Sequence, residues 1–327
     1  MTADGATGPA EATRRDLDDA HGIARDATDE IDSSIDGPAA PPRIVGLEVN
    51  QPAGYDHALA VGVARKAGVG SVTLTLPWSV LEPDEGQLEG STPAFALPFY
   101  RDQGVEVQMS IPIIDTVAAM LPADLAAGYA AGALALDAPA IETRAKKMLD
   151  AVLASAGTEL RYLDISNEVD IYLSGRPPEE WDALGRLMTA LIAHVHGKHP
   201  AIQLGISVTF AGMSEARAAA ITAGHDVRFV TYYRAGNFGG DTSDDFAADL
   251  DRMLAFAGDR PLVLKELGYA TGPALGGTEA GQAAFVDDVF AAWDTNAARI
   301  PPDHVQPNVR RRASRLRRAG GDLRLAR

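Results

Sequence analysis

The chain has 327 residues, 46% hydrophobic and 23% charged, which is enough apolar material for one large core and excludes wholesale disorder. It contains no cysteine, so disulfides, thiolate catalysis and cysteine-ligated zinc are excluded. A formal net charge of −16 disfavours polyanionic partners, and nucleic acid is not an expected ligand of the body.

Residues 1–40 hold ten acids against Arg14, Arg15 and Arg25, with almost no large apolar side chain. Such a stretch cannot offset the entropy lost on ordering, and we expect a disordered acidic lead-in. It shows neither the charged start nor the apolar run of a signal peptide. No uninterrupted apolar run of about 18 residues occurs, so a cytoplasmic protein without membrane contact is expected.

From Pro42 onward, short β-branched runs alternate with longer helical patterns, the signature of successive βα units around a parallel sheet. The runs are Arg43–Val49, Ser71–Leu76, Val105–Ile111, Arg161–Ser166, Ile202–Val208, Val227–Tyr232 and Pro261–Leu267. Between them the apolar period changes from two to 3.6. Pro178 opens a helix carrying Trp181, Leu184, Leu187, Met188, Leu191, Ile192 and Val195, and Ser243 is read as the cap of a helix with Phe246, Leu250 and Met253. Phe285, Val289, Phe290 and Trp293 mark a further helix.

Seven alternations over about 260 residues fit a TIM (β/α)8 barrel, usually ~250 residues long, better than a doubly wound sheet. The eighth strand is doubtful or missing. It should begin near Ile300, where Pro301-Pro302 opposes a central strand. The barrel is therefore assigned to residues 41–300. Residues 301–327 stand apart in composition, since the eight arginines from Arg310 onward face Asp322 alone. We read this tail as disordered and outside the folded design, with a basic arm as the lesser alternative.

In such barrels the chemistry sits at the C-terminal ends of the strands. Glu168 ends the fourth run in Asp164-Ile165-Ser166-Asn167-Glu168, and Glu266 ends the seventh in Leu264-Lys265-Glu266-Leu267-Gly268-Tyr269. Strands four and seven lie across a barrel, so two inward carboxylates can flank one substrate bond. Glycoside cleavage needs that pairing, one carboxylic acid to protonate the leaving oxygen and one carboxylate to attack or to activate water.

Residues 165–173 (ISNEVDIYL) and the run Val263-Leu264-Lys265-Glu266-Leu267-Gly268-Tyr269 resemble the fourth-strand Asn-Glu and seventh-strand Glu motifs of clan A retaining glycoside hydrolases. Trp78, Glu82, Pro83 and Gly86 resemble a pattern that follows the second strand in several of those families. The resemblance covers roughly residues 43–295. It implies a retaining β-glycosidase with Glu168 as general acid/base, Glu266 as nucleophile and Asn167 on the sugar 2-hydroxyl. It also implies a sixth-strand tyrosine on the nucleophile, either Tyr232 or Tyr233, with Tyr232 chosen by alternation. Trp78 is expected to offer an apolar face to a sugar ring or to be wedged under a loop. Glu48 and Asn50 after the first strand, and Asp115 after the third, face the expected mouth, where they bind sugar hydroxyls or brace the rim.

The strand-eight aromatic usual in these families has no counterpart here. The alternative reading is therefore a catalytically impaired carbohydrate-binding or scaffold barrel. No metal or organic cofactor is expected. His194, His196 and His199 do not share one helix face, Asp241 to Asp245 lacks the ligand pattern of a calcium loop, and the glycines from Gly272 to Gly281 do not follow a nucleotide-binding order. A carbohydrate is the expected partner, neutral rather than acidic given the net charge, and the oligomeric state is left open.

Overall fold

The computed structural model describes residues 44–47, 57–234, 244–272 and 275–296. The expected lead-in, the Arg-rich tail, the position for an eighth strand, Ser243, Glu48 and Asn50 lie outside the described residues.

Each of the seven expected runs contains a strand. In chain order the elements begin with β1 (Val45–Leu47), α1 (His57–Lys66), β2 (Val69–Thr75), α2 (Trp78–Leu81), α3 (Ser91–Asp102) and β3 (Glu106–Ser110). A small antiparallel hairpin of β4 (Ile114–Asp115) and β5 (Ala118–Ala119) follows, then α4 (Ala123–Ala130), α5 (Pro139–Leu153) and β6 (Leu160–Asp164). Next come α6 (Val169–Leu173), α7 (Pro178–His196), β7 (Gln203–Gly205), β8 (Ser207–Thr209) and α8 (Ala216–Thr222). The described chain ends with β9 (Arg228–Arg234), α9 (Phe246–Ala257), β10 (Leu262–Tyr269) and α10 (Glu279–Thr295).

All long strands pair in parallel, in the orders β1-β2-β3-β6-β7 and β8-β9-β10. The fifth run changes partner at Ile206: its first half pairs with β6 and its second with β9, so one run joins both sheets. Strands neighbouring in sequence are neighbours in space, with helices between them, and the fold is an α/β TIM-type barrel.

Side-chain alternation divides the core. On the outside, α7 lays Trp181, Leu184, Leu187, Met188 and Leu191 against the first sheet, all buried as the helical stripe predicts. Around β9 and β10, Tyr232, Phe246, Leu250, Phe285 and Trp293 form a second outer cluster. Helix α9 starts at Phe246, capped by Asp245, whose carboxylate accepts from the amides of Ala247 at 2.9 Å and Ala248 at 3.4 Å. A third cluster joins Tyr162 of β6, Phe229 of β9 and Val263 of β10. Because β6 and β10 are not neighbours, these residues meet across the barrel interior and form a plug beneath the mouth. Full burial of each such side chain contributes about 1.5–3 kcal/mol.

One irregularity positions the site. The β9–β10 register skips between Leu264 and Glu266: Leu264 pairs with Val230 and Glu266 with Thr231, leaving Lys265 as the extra residue of a β-bulge. Regular alternation would put Lys265 and Glu266 on opposite faces. With the bulge, Lys265 reaches Ser110 and Asp164 across the interior while Glu266 still meets Tyr233 on the same side.

Candidate active site

Above the aromatic plug lies a layer of polar side chains. Asp164 is fully buried at the end of β6 and accepts from Ser110 Oγ at 3.0 Å, from Ser207 Oγ at 2.9 Å and from the Lys265 ammonium. Burial pushes the Asp164 carboxyl up, while the ammonium and both hydroxyls favour its ionised form. Lys265 Nζ also donates to Ser110 Oγ at 3.0 Å and to Asn167 Oδ1 at 2.8 Å. Its three hydrogens thus have three acceptors, which a buried ammonium requires.

The next layer holds the carboxylates. After β6 the chain passes Asn167, whose amide N–H donates to Ile114 O at 2.8 Å and whose carbonyl accepts from Thr116 N at 3.0 Å. Glu168 then turns into the left-handed region, with φ 47°, and opens α6. The turn directs its carboxyl toward β9: Oε1 accepts from Thr231 Oγ1 at 2.7 Å and Oε2 from Thr116 Oγ1 at 2.8 Å. Thr116 also takes a left-handed backbone, with φ 49°.

Burial is the main cause that raises the Glu168 pKa, and the negative charge of Glu266 adds to it. The hydroxyls of Thr231 and Thr116 and the charge of Lys265 pull the other way. Across from it, Glu266 Oε2 accepts from the Tyr233 hydroxyl. Gly268, the register partner of Tyr233, leaves the space for that ring, since a Cβ there would stand 2.5 Å from Tyr233 Cε1. This explains the glycine two residues after Glu266. The structure thus brings Glu168, just after β6, and Glu266, within β10, close enough at the barrel mouth for the charge of Glu266 to act on Glu168.

Two expected site residues are placed elsewhere. Tyr232 is not on Glu266: odd-numbered residues of β9 face inward, so Tyr232 points out among Phe210, Phe246 and Phe285 and donates to Asp249 Oδ2 at 2.8 Å. Tyr233 takes the expected place. Trp78 offers no face to a ligand, because it is fully buried and its indole N–H donates to Glu82 Oε2 at 2.9 Å. Glu82 in turn accepts from Gly86 N at 3.0 Å and pairs with Arg144 at 2.9 Å. The Trp78, Glu82 and Gly86 pattern is a clamp on the loop after β2.

Asn167 sits at the mouth as expected, but its amide is engaged within the protein. Nδ2 donates to Asp115 Oδ1 at 3.0 Å and to Thr116 Oγ1 at 3.2 Å. Asp115 is half-buried beside it. Asp170 accepts from Thr209 N at 2.8 Å and Thr209 Oγ1 at 2.6 Å, which fixes the end of β8. Tyr172 lines a cleft of about 780 Å³ with Val117, Ala119, Tyr129 and Arg176. There the Arg176 guanidinium lies 4.0 Å over the Tyr172 ring, and Tyr129 donates to Glu180 at 2.6 Å. His194 and His196 bond to different aspartates, Asp150 at 2.8 Å and Asp226 at 2.9 Å.

Sequence reasoning missed Thr116, Thr231 and Lys265. For Lys265 a signal existed, a lysine inside an otherwise apolar buried strand. For the threonines there was none, because threonine is an ordinary strand residue.

No protein-family model and no curated protein matches the chain. Solved structures do share its fold. A GH5_18 structure from Bifidobacterium longum subsp. longum superposes with a TM-score of 0.60 at 17% identity, covering 82% of this chain and 69% of that one. An exo-beta-1,4-mannosidase from Opitutaceae bacterium strain TAV5 gives 0.61 at 13% identity, covering 82% of this chain and only 51% of its own. The GH53 catalytic domain of Ignisphaera aggregans gives 0.57 at 16% identity, covering 84% and 86%. What these likenesses define is the fold, a TIM barrel shared with those solved structures.

Proposed function

We propose that the chain is a glycoside hydrolase that cleaves β-glycosidic bonds with retention. The observation that carries this reading is the pair Glu168 and Glu266, one just after β6 and the other within β10, coupled in charge and held by different hydrogen-bond partners. Glu168, partly buried and with its pKa raised by desolvation, is the carboxyl suited to donate a proton. Glu266, aligned by Tyr233, is suited to attack the anomeric carbon.

In the first step Glu266 bonds to the anomeric carbon as the glycosidic C–O bond breaks and Glu168 protonates the departing oxygen. In the second, Glu168 takes a proton from water, whose oxygen displaces Glu266 and restores the carboxylate. In this reading half-buried Asp115 is the group beside the bond that accepts from a sugar hydroxyl, while Asn167, its amide already engaged by Lys265, Asp115 and Thr116, serves to hold the loop. The fold shared with structures described as a GH53 catalytic domain and an exo-beta-1,4-mannosidase supports the reading.

The test is a panel of nitrophenyl glycosides of both anomeric configurations, with ¹H NMR of the first-formed sugar. Release of the β-anomer from a β-glycoside is expected. First release of the α-anomer would replace retention by inversion, and no turnover of any panel member would remove the hydrolase assignment.

A further inference from the structure

The side chains under Glu168 form a chain whose hydrogen-bond direction is fixed from one end. Lysine has only donors, so Asn167 must present Oδ1 to Lys265 Nζ, at 2.8 Å. The Asn167 amide is therefore turned with Nδ2 toward Thr116 Oγ1, at 3.2 Å, and Thr116 must accept there. Its single hydroxyl hydrogen is then free for an acceptor. Glu168 Oε2 lies at 2.8 Å and Asp115 Oδ1 at 3.5 Å, so the shorter contact to Glu168 takes it. Thr231, the donor on Oε1, carries no such constraint among the described residues and rotates with the protonation of its partner.

We propose that Lys265 is a positioning residue for Glu168: through Asn167 and Thr116 it reserves Oε2 as a hydrogen-bond acceptor and leaves Oε1 to carry the transferable proton. This rests on the acid/base role given to Glu168 above and adds which of its oxygens performs it. The bulge in β10 serves this arrangement: Lys265 faces inward in alternation with Val263, and the extra residue lets Glu266 face inward as well. The charged and titratable groups facing Glu168 among the described residues are Glu266 and Lys265 on β10, with Asp115 beyond Thr116 and Tyr233 beyond Glu266.

The experiment is a ¹³C carboxyl titration of the full-length protein, with the Glu168 signal assigned by its loss in Glu168→Gln. Thr116→Val removes the last donor and keeps a β-branched side chain, and Thr116→Ser keeps the hydroxyl. Because Lys265→Met alone would strand the buried Asp164, the double variant Lys265→Met/Asp164→Asn removes the source of direction without leaving a lone charge. In Thr116→Val and in the double variant the Glu168 midpoint is expected to rise by about one pH unit, the size of one hydrogen bond to a charged group. Thr116→Ser should titrate like the parent. An unmoved midpoint in Thr116→Val, or equal shifts in the Val and Ser variants, would overturn the proposal. The titration needs no substrate, so an inactive parent protein would remove the hydrolase assignment and leave this outcome to be read independently.

Discussion

Thr116 and Glu168, the two non-glycine residues with left-handed backbone among those described, are hydrogen-bonded to each other at 2.8 Å. For a β-branched residue this conformation is a genuine outlier, and each such residue costs about 1–3 kcal/mol. The surrounding chain enforces it: Thr116 N donates to Asn167 O, Asn167 N to Ile114 O, and Asp115 bridges to Asn167. Both turns fall where the two loops deliver side chains to one carboxyl, so the strain is concentrated at the chemistry.

Burial sets the pH range of the proposed acid. Glu168 must be protonated when the leaving group departs, and its pKa is raised mainly by desolvation. It should therefore stay protonated at pH values where an exposed glutamate is ionised, and kcat/KM should fall as pH rises through the raised value. In Glu168→Gln that alkaline limb is expected to vanish from the pH–rate profile of a substrate with a good leaving group. Persistence of the same limb would assign it to another group.

Removing Glu266, the proposed nucleophile, should be the most damaging change. Glu266→Ala is expected to lower kcat by more than the roughly 10²–10⁴-fold associated with losing an acid/base group. Azide or formate should restore part of the turnover as a glycosyl azide or formate ester of opposite anomeric configuration. Undiminished turnover in Glu266→Ala would refute the assignment.

The adjacent tyrosines separate stability from catalysis. Tyr233→Phe removes the hydroxyl on Glu266 and should reduce kcat roughly tenfold or more, as expected for a bond to a charged group, with little change in thermal stability. Tyr232→Phe removes the hydroxyl donor from Oδ2 of buried Asp249 and should cost about 1–3 kcal/mol of stability with unchanged kcat. Paired denaturation and steady-state measurements on the two variants check this, and a reversed pattern would contradict the orientation of β9.

Gly268→Ala should act on Tyr233 at a distance from the reacting atoms. The added methyl occupies the ring's position and should displace the hydroxyl from Glu266, so its loss in kcat is expected to approach that of Tyr233→Phe. In the double variant the two losses should not add. Multiplicative effects in that cycle would show that the glycine has another role.

Trp78 is expected to matter for folding alone. Trp78→Ala opens a cavity and frees Glu82 from its indole partner, at a cost of about 3–5 kcal/mol in urea unfolding, while KM of the folded fraction stays unchanged.

The periodic parts of this protein were legible without coordinates. All seven strands and the long stripe of α7 follow from runs of apolar residues, because burial on both faces writes itself into composition. Glu168 and Glu266 were singled out because strand ends in a barrel converge, and the structure sets the two near each other. What failed was orientation within a strand: choosing Tyr232 over Tyr233 required knowing that Phe229 faces inward, and β9 is apolar on both sides. The bulge at Lys265 was equally invisible, since one inserted residue leaves no mark in a run that is buried throughout. The clamp built on Trp78 shows the converse, a recognisable pattern whose residues hold a loop.

The ion pair between Asp164 and Lys265 spans 101 positions of the chain. At roughly 5–20 residues per second, translation reaches the lysine roughly 5–20 s after the aspartate. For that interval the nascent first sheet carries a carboxylate at its centre without its cation, and water must solvate it. The interior can dehydrate around that carboxylate only when β10 docks, so the order of synthesis makes the drying of the barrel interior a late event.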